Sequence, residues 1–264
     1  MNTAVIGISN LQLAMGLVFI ILAGTLSLIH SLKLEKDLLI GTLRTFVQLS
    51  LLGFALKFIF NIDRLWLVVL VFVLMVFFAA WTIKGRVQER QVSFFWPVFL
   101  SMTTGYFLIA FVVTAAIVNV DPWWRPQYFI PLSGMVIGNS MNAMAISLER
   151  LLGDLRGKRQ EIEMMLCLGG DYKEASQGIF RNAMRAGMIP SINSMMAVGV
   201  VFIPGMMTGQ ILAGADPGTA IRYQIVVMIM LVGSTAISSF LVLSLVRRRC
   251  FGPSQQLLLR QTKQ

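Results

Sequence analysis

Stretches of about twenty mostly apolar residues recur along this chain, separated by short polar breaks, and nothing else in the sequence limits its fold so strongly. A helix rises 1.5 Å per residue, so each stretch is long enough to cross the roughly 30 Å hydrocarbon core of a bilayer. The apolar runs fall near residues 11–29, 38–60, 65–83, 94–118, 128–148, 190–214 and 220–246. Of the 264 residues, 56% are apolar and 13% charged, against about 25% charged in a soluble domain. The expected fold is all-α: a polytopic integral membrane protein of about seven transmembrane helices. One transmembrane domain spans 1–264, with a cytoplasmic loop at 149–189 and a short, loosely ordered tail at 247–264.

A net charge of +10 would suggest a nucleic-acid partner in a soluble protein. Here the cations sit in alternate connections between apolar runs, with no basic stripe interleaved with aromatics, so no nucleic acid is expected. One set holds Lys33 and Lys36; Lys84, Arg86 and Arg90; Arg150, Arg156, Lys158, Arg159, Lys173, Arg181 and Arg185; and Arg247, Arg248, Arg249, Arg260 and Lys263. The opposite set has only Lys57, Arg64, Arg125 and Arg222. Cationic loops stay on the cytoplasmic side during insertion, which places the N-terminus outside and the C-terminus inside. Trp123, Trp124 and Tyr128 then form an outer interfacial anchor. Cys167 and Cys250 have no C-x-x-C partner, so neither a disulfide nor a thiolate metal site is expected. The first apolar run lacks a basic flank and reads as a permanent helix rather than a cleaved signal.

The most informative polar stretch is KRQEIEMMLCLGG followed by DYKEASQGIFRNAMRAGMIP. It reads as two helices broken at Gly169 and Gly170, with Asp171 and Glu174 spaced as a capping box at the start of the second. Ile162, Met165 and Leu166 share one face of the first helix, and Ala175, Ile179 and Ala183 one face of the second. Such faces pack either on the protein's own helices or on a partner. Glu161 and Glu163 flank the same region.

Glu163, Gly169 and Ile179, spaced by six and ten, resemble the cytoplasmic coupling loop of ABC-transporter permeases, in which a short helix sits in a cleft of the ATPase. Met164 and Met165 replace the two alanines of that pattern, and Arg181 and Asn182 replace its closing Leu-Pro. MIPSINSM, PGMMTGQILAGADPGTAIRYQI, SGMVIGNSMNA from Ser133, and LEKD followed by Arg44 and Gln48 are similar to the FetB family of ABC permeases. The resemblance covers residues 34–246 and is strongest over 131–226. It implies a homodimeric permease of the cell inner membrane working with a cytoplasmic ABC ATPase, exporting iron and so limiting oxidative stress. Plant proteins resembling the family are linked to aluminium tolerance and sugar nucleotides, so another cargo stays open, as does a partner-independent channel or carrier.

No enzyme activity is expected. The nearest approach to a P-loop, Gly153 to Arg159, lacks the required spacing and has Arg after its lysine. ATP and Mg²⁺ are therefore expected on a separate subunit, with no cofactor on this chain. Within the membrane, Arg44 and Gln48 lie four apart on one helix face, either lining a path or snorkelling. Gly134 and Gly138 form G-x-x-x-G, extended by Asn142 and flanked by Asn139, a surface suited to close helix packing. Pro204 and Gly205 break the sixth run and free carbonyls that could face a cation. Met206 and Met207 stand beside the break, but methionine is more often a packing residue than a ligand. His30 is the one histidine, and no expected span has Asp or Glu near its centre, so a carboxylate metal cage is not expected.

Overall fold

The computed structural model describes residue 7 and residues 9–62, 64–87 and 92–259. Arg90, Arg260 and Lys263 of the charge pattern lie outside these residues. The described chain is almost wholly helical, and the chain divides into two compact units: residues 1–63 with 212–215, and residues 64–211 with 216–264.

In the first unit, α1 (Asn10–Met15) starts at a capping box between Ser9 and Gln12 and meets α2 (Leu17–Ile29) at Gly16. A tight turn leads to α3 (Glu35–Ile62), with Ser31 and Lys33 in the left-handed region. The Ser27 hydroxyl fastens this turn, donating to Glu35 Oε1 at 2.8 Å and accepting from the Leu34 N–H at 3.1 Å. Ser27 and Ile59 are the only buried residues of these helices, so their apolar sides need lipid or another protein around them.

The second unit begins with α4 (Leu65–Arg86) and α5 (Phe95–Val112), the latter extended by a π-helical turn, Val113–Ile117. Next come α6 (Pro126–Gly157), α7 (Arg159–Cys167), α8 (Tyr172–Ala197), the short α9 (Gly205–Leu212) and α10 (Pro217–Arg249). Side-chain pairs give the directions. Phe72 meets Phe129, and Arg86 meets Glu149, so α4 and α6 run parallel. Gly105 lies beside Ser238, and Arg249 donates to the Ser93 carbonyl, so α5 opposes α10. On α8, Ser191 meets Asn139 while Gly187 abuts Ala143 and Ser147, making it antiparallel to α6. Ser191 also meets Thr235, Phe180 meets Phe240, and Gln177 meets Arg247, so α8 opposes α10 as well. The core between these helices holds Phe72, Met102, Tyr106, Phe129, Met144, Leu148 and Leu243. Trp123, expected as an interfacial anchor, packs edge-on against Phe107 and Phe111.

Among the described residues, six stretches are long and apolar enough to cross a membrane: Asn10–Ile29, Glu35–Ile62, Leu65–Arg86, Phe95–Ile117, Pro126–Gly157 and Pro217–Arg249. The expected run at 190–214 is not one helix. Its first part is the end of the 26-residue α8, its middle is an irregular stretch with Gly199 at φ 82°, and its last part is α9. Tertiary packing sets this boundary: α8 extends back through polar residues because Ile179, Ala183, Gly187 and Ser191 are buried along its length. The expectation of a loosely ordered tail is corrected for residues 250–259, because Cys250, Phe251, Leu257 and Leu259 are buried.

Candidate functional site

The α7–α8 junction forms as the residue types dictate. Gly169 has φ 93°, a conformation only glycine adopts without strain. Its N–H donates to the Leu166 carbonyl and that of Gly170 to the Met165 carbonyl, both at 3.1 Å, closing a Schellman motif. Asp171 then accepts from the Glu174 N–H at 2.7 Å while Glu174 accepts from the Asp171 N–H at 3.0 Å, the reciprocal capping box expected. Stop and start signals are thus adjacent, leaving a turn with little freedom.

The two faces separate cleanly. Ile162 and Ile179 are buried, Leu166 is half-buried, and Met165 is largely exposed rather than docked as its spacing suggests. Met164 is 59% exposed and Leu168 79%, so the turn presents apolar side chains beside charged ones. Glu161 pairs with Lys158 at 3.6 Å, and Glu163 with Arg159 at 2.6 Å. A groove of about 380 Å³ runs between α7 and α8, lined by Ile162, Met164, Met165, Ala175 and Ile179.

The residues singled out inside the membrane belong to both units and stand in different local settings. Arg44 and Gln48 are exposed on α3, with no side-chain hydrogen bond to any described residue. Gly134 sits against Met75, where an added Cβ would lie 3.1 Å from the Met75 methyl, but the space at Gly138 is open. Asn142 accepts from Arg86 Nη1 at 3.3 Å. Asn139 belongs to a polar cluster: its amide donates to Ser191 at 3.1 Å and Thr235 at 3.3 Å, and Ser140 lies 3.2 Å from Ser234. These groups tie α6, α8 and α10 together at one level.

At the break before α9, the Pro204 carbonyl accepts from Thr208 and the Ala197 carbonyl from Val201, so part of the freed backbone is satisfied locally. Pro204 and Met207 line an apolar cavity of about 440 Å³ with Met195, Gln224 and Met228. Gly205 opens α9, and Met206 is half-buried on it. Among the described residues, no group of three or more His, Cys, Asp or Glu side chains could hold a metal ion.

Three features escaped the sequence reading. Gly187, not Gly138, makes the close helix approach: its missing side chain admits Ser147 Oγ, and an added Cβ would lie 2.7 Å from the Ala143 carbonyl. The signal was present as Ala183, Gly187 and Ser191, three small residues four apart. The hydroxyl cluster gives no sequence signal, because its members are dispersed over nearly a hundred positions. The third is the tail. Leu259 O accepts from Arg159 Nη1 at 2.7 Å, and Gln255 Oε1 accepts from the Tyr172 N–H at 2.8 Å.

Comparison with known proteins agrees with this architecture. A family model described as "Uncharacterised protein family (UPF0014)" matches residues 10–251. The chain is 36% identical over 250 residues to "UPF0014 membrane protein YjkA" of Bacillus subtilis, covering 94% of this chain and 97% of the relative. It is 34% identical over 256 residues to "Probable iron export permease protein FetB" of Escherichia coli, covering 97% of each. It is also 34% identical over 226 residues to "Protein ALUMINUM SENSITIVE 3" of Arabidopsis thaliana, covering 86% of this chain and 81% of the relative. No solved structure matches the chain.

Proposed function

The chain belongs to the UPF0014 family, a family of multi-pass membrane proteins, and from that premise we propose that it is the permease subunit of an ATP-driven ABC transporter. It works as a homodimer in the cell's inner membrane, N-terminus outside and C-terminus inside, with two copies of a separate cytoplasmic ATPase that carries ATP and Mg²⁺. The name of the Escherichia coli relative supports iron export, and hence protection from oxidative stress, as the task.

One observation carries this reading: the capped α7–α8 turn offers Met164, Met165 and Leu168 to the exterior of the chain on a rigid mount. Exposed apolar side chains among charged neighbours mark a protein contact. The mount continues without interruption into α8, which packs between α6 and α10, so force on the turn reaches the membrane helices directly. The exposed side of α8 carries Arg181, Asn182, Arg185 and Asn193, groups too polar for lipid. That side suits water or a second copy, which favours a dimer with α8 along its path.

Leu168→Asp tests the docking role, because a residue 79% exposed can be changed without loss of packing. The variant should keep its melting temperature and lose co-purification with the ATPase; unchanged co-purification and transport remove the coupling assignment. For the cargo, cells lacking the gene should accumulate iron under overload, and equal iron in both strains sinks the iron reading. Arg44 and Gln48, exposed side by side on α3, motivate a rival reading as a partner-independent channel or carrier. On that reading the chain reconstituted alone transports without ATP.

A further inference from the structure

We propose that the C-terminal segment 250–259 is a clasp that holds the coupling turn to α10, with Gln255 as its positioning residue. The inference rests on the coupling role proposed for the α7–α8 turn and adds the part that keeps the turn in register with the membrane helices.

After the last turn of α10 the chain reverses on itself. The Gly252 N–H donates to the Gln256 carbonyl at 2.8 Å, the Leu258 N–H to the Cys250 carbonyl at 2.9 Å, and Phe251 pairs with Leu257 in an antiparallel bridge. This pinch buries Leu257 and Leu259, so it is a packed element. It reaches the first residue of α7, where the helix leading into the exposed turn begins, and the first residue of α8, just after the turn. At α7, Arg159 bonds the Leu259 carbonyl through Nη1 and Glu163 through Nε. At α8, the Tyr172 N–H belongs to the first helical turn, where backbone donors have no partner within the helix. Gln255 Oε1 supplies that partner, and the Tyr172 ring lies 5.5 Å from Phe251.

The left-handed φ of 62° at Gln255 belongs to this reversal, where its N–H donates to the Gly252 carbonyl at 2.9 Å, and the turn so closed sets the place from which the side chain reaches Tyr172. Arg247 completes the joint from α10, with its guanidinium 4.4 Å from the centre of the Phe180 ring and Nη1 3.3 Å from Gln177 Oε1. A push on the turn is therefore delivered to α10 as well as along α8.

The test uses full-length chain with its ATPase in proteoliposomes, following ATPase retention, ATP hydrolysis and ferrous-iron transport. Gln255→Ala removes the acceptor, whereas Gln255→Glu keeps a carboxyl oxygen that accepts from the Tyr172 N–H. In Gln255→Ala, the ATPase should stay bound and hydrolyse ATP while iron moved per ATP falls about fivefold. Gln255→Glu should restore the ratio to about that of the unaltered chain. A wild-type ratio in Gln255→Ala overturns the clasp. Loss of the ATPase from Gln255→Ala, or failure of Gln255→Glu to restore the ratio, also overturns it, since the segment would then serve docking or folding alone. If the unaltered chain retains no ATPase, the coupling reading itself fails.

Discussion

Gly138 and Gly187 look equivalent in sequence and behave differently in the fold. Space around Gly138 is open, so Gly138→Ala should be neutral or stabilise the helix by up to about 1 kcal/mol. At Gly187 a Cβ meets Ser147 Oγ, which can rotate away, and the Ala143 carbonyl at 2.7 Å, which cannot. Gly187→Ala should therefore cost about 1–3 kcal/mol, and adding Ser147→Ala should recover only part of it. Thermal unfolding in detergent measures all three. Residues whose role is local were legible in sequence: Gly169 terminates its helix and Asp171 caps the next, because both act on backbone within a few positions. Gly187, Asn139 and Gln255 act on partners about 40 to 100 residues away, and no local pattern carries that.

Helices with a lipid-facing surface announced themselves by apolar length, and every expected run but the sixth returns among the described residues as a membrane-length helical stretch. The sixth did not, because α8 buries small residues between α6 and α10 and leaves polar groups on its open side, so it lacks an apolar stretch of spanning length. Its start depends on the capping box. Asp171→Ala should remove about 1 kcal/mol of helix stability, seen as faster amide exchange in the first turn of α8 with later turns unchanged. The tail was illegible for a different reason: its apolar residues stand at its two ends, split by Gly-Pro-Ser-Gln-Gln, and show no helical or strand period until Arg159 and Tyr172 are brought against them.

For the molecule as a whole, charge placement predicts a sidedness that one thiol can report. Cys167 is exposed at the end of α7 and Cys250 is buried, so a membrane-impermeant maleimide should label the chain at Cys167 alone. Labelling is expected in inverted vesicles and not in spheroplasts, and should vanish in Cys167→Ser; labelling from outside reverses the orientation. Pro190 has a further consequence for how such a molecule moves. It supplies no N–H to the Ala186 carbonyl, and it stands less than one turn beyond the tight contact at Gly187. A rod notched between two grips, the Gly187 contact on one side and the buried Ser191 hydroxyl beside Asn139 and Thr235 on the other, bends at the notch only as far as the second grip yields.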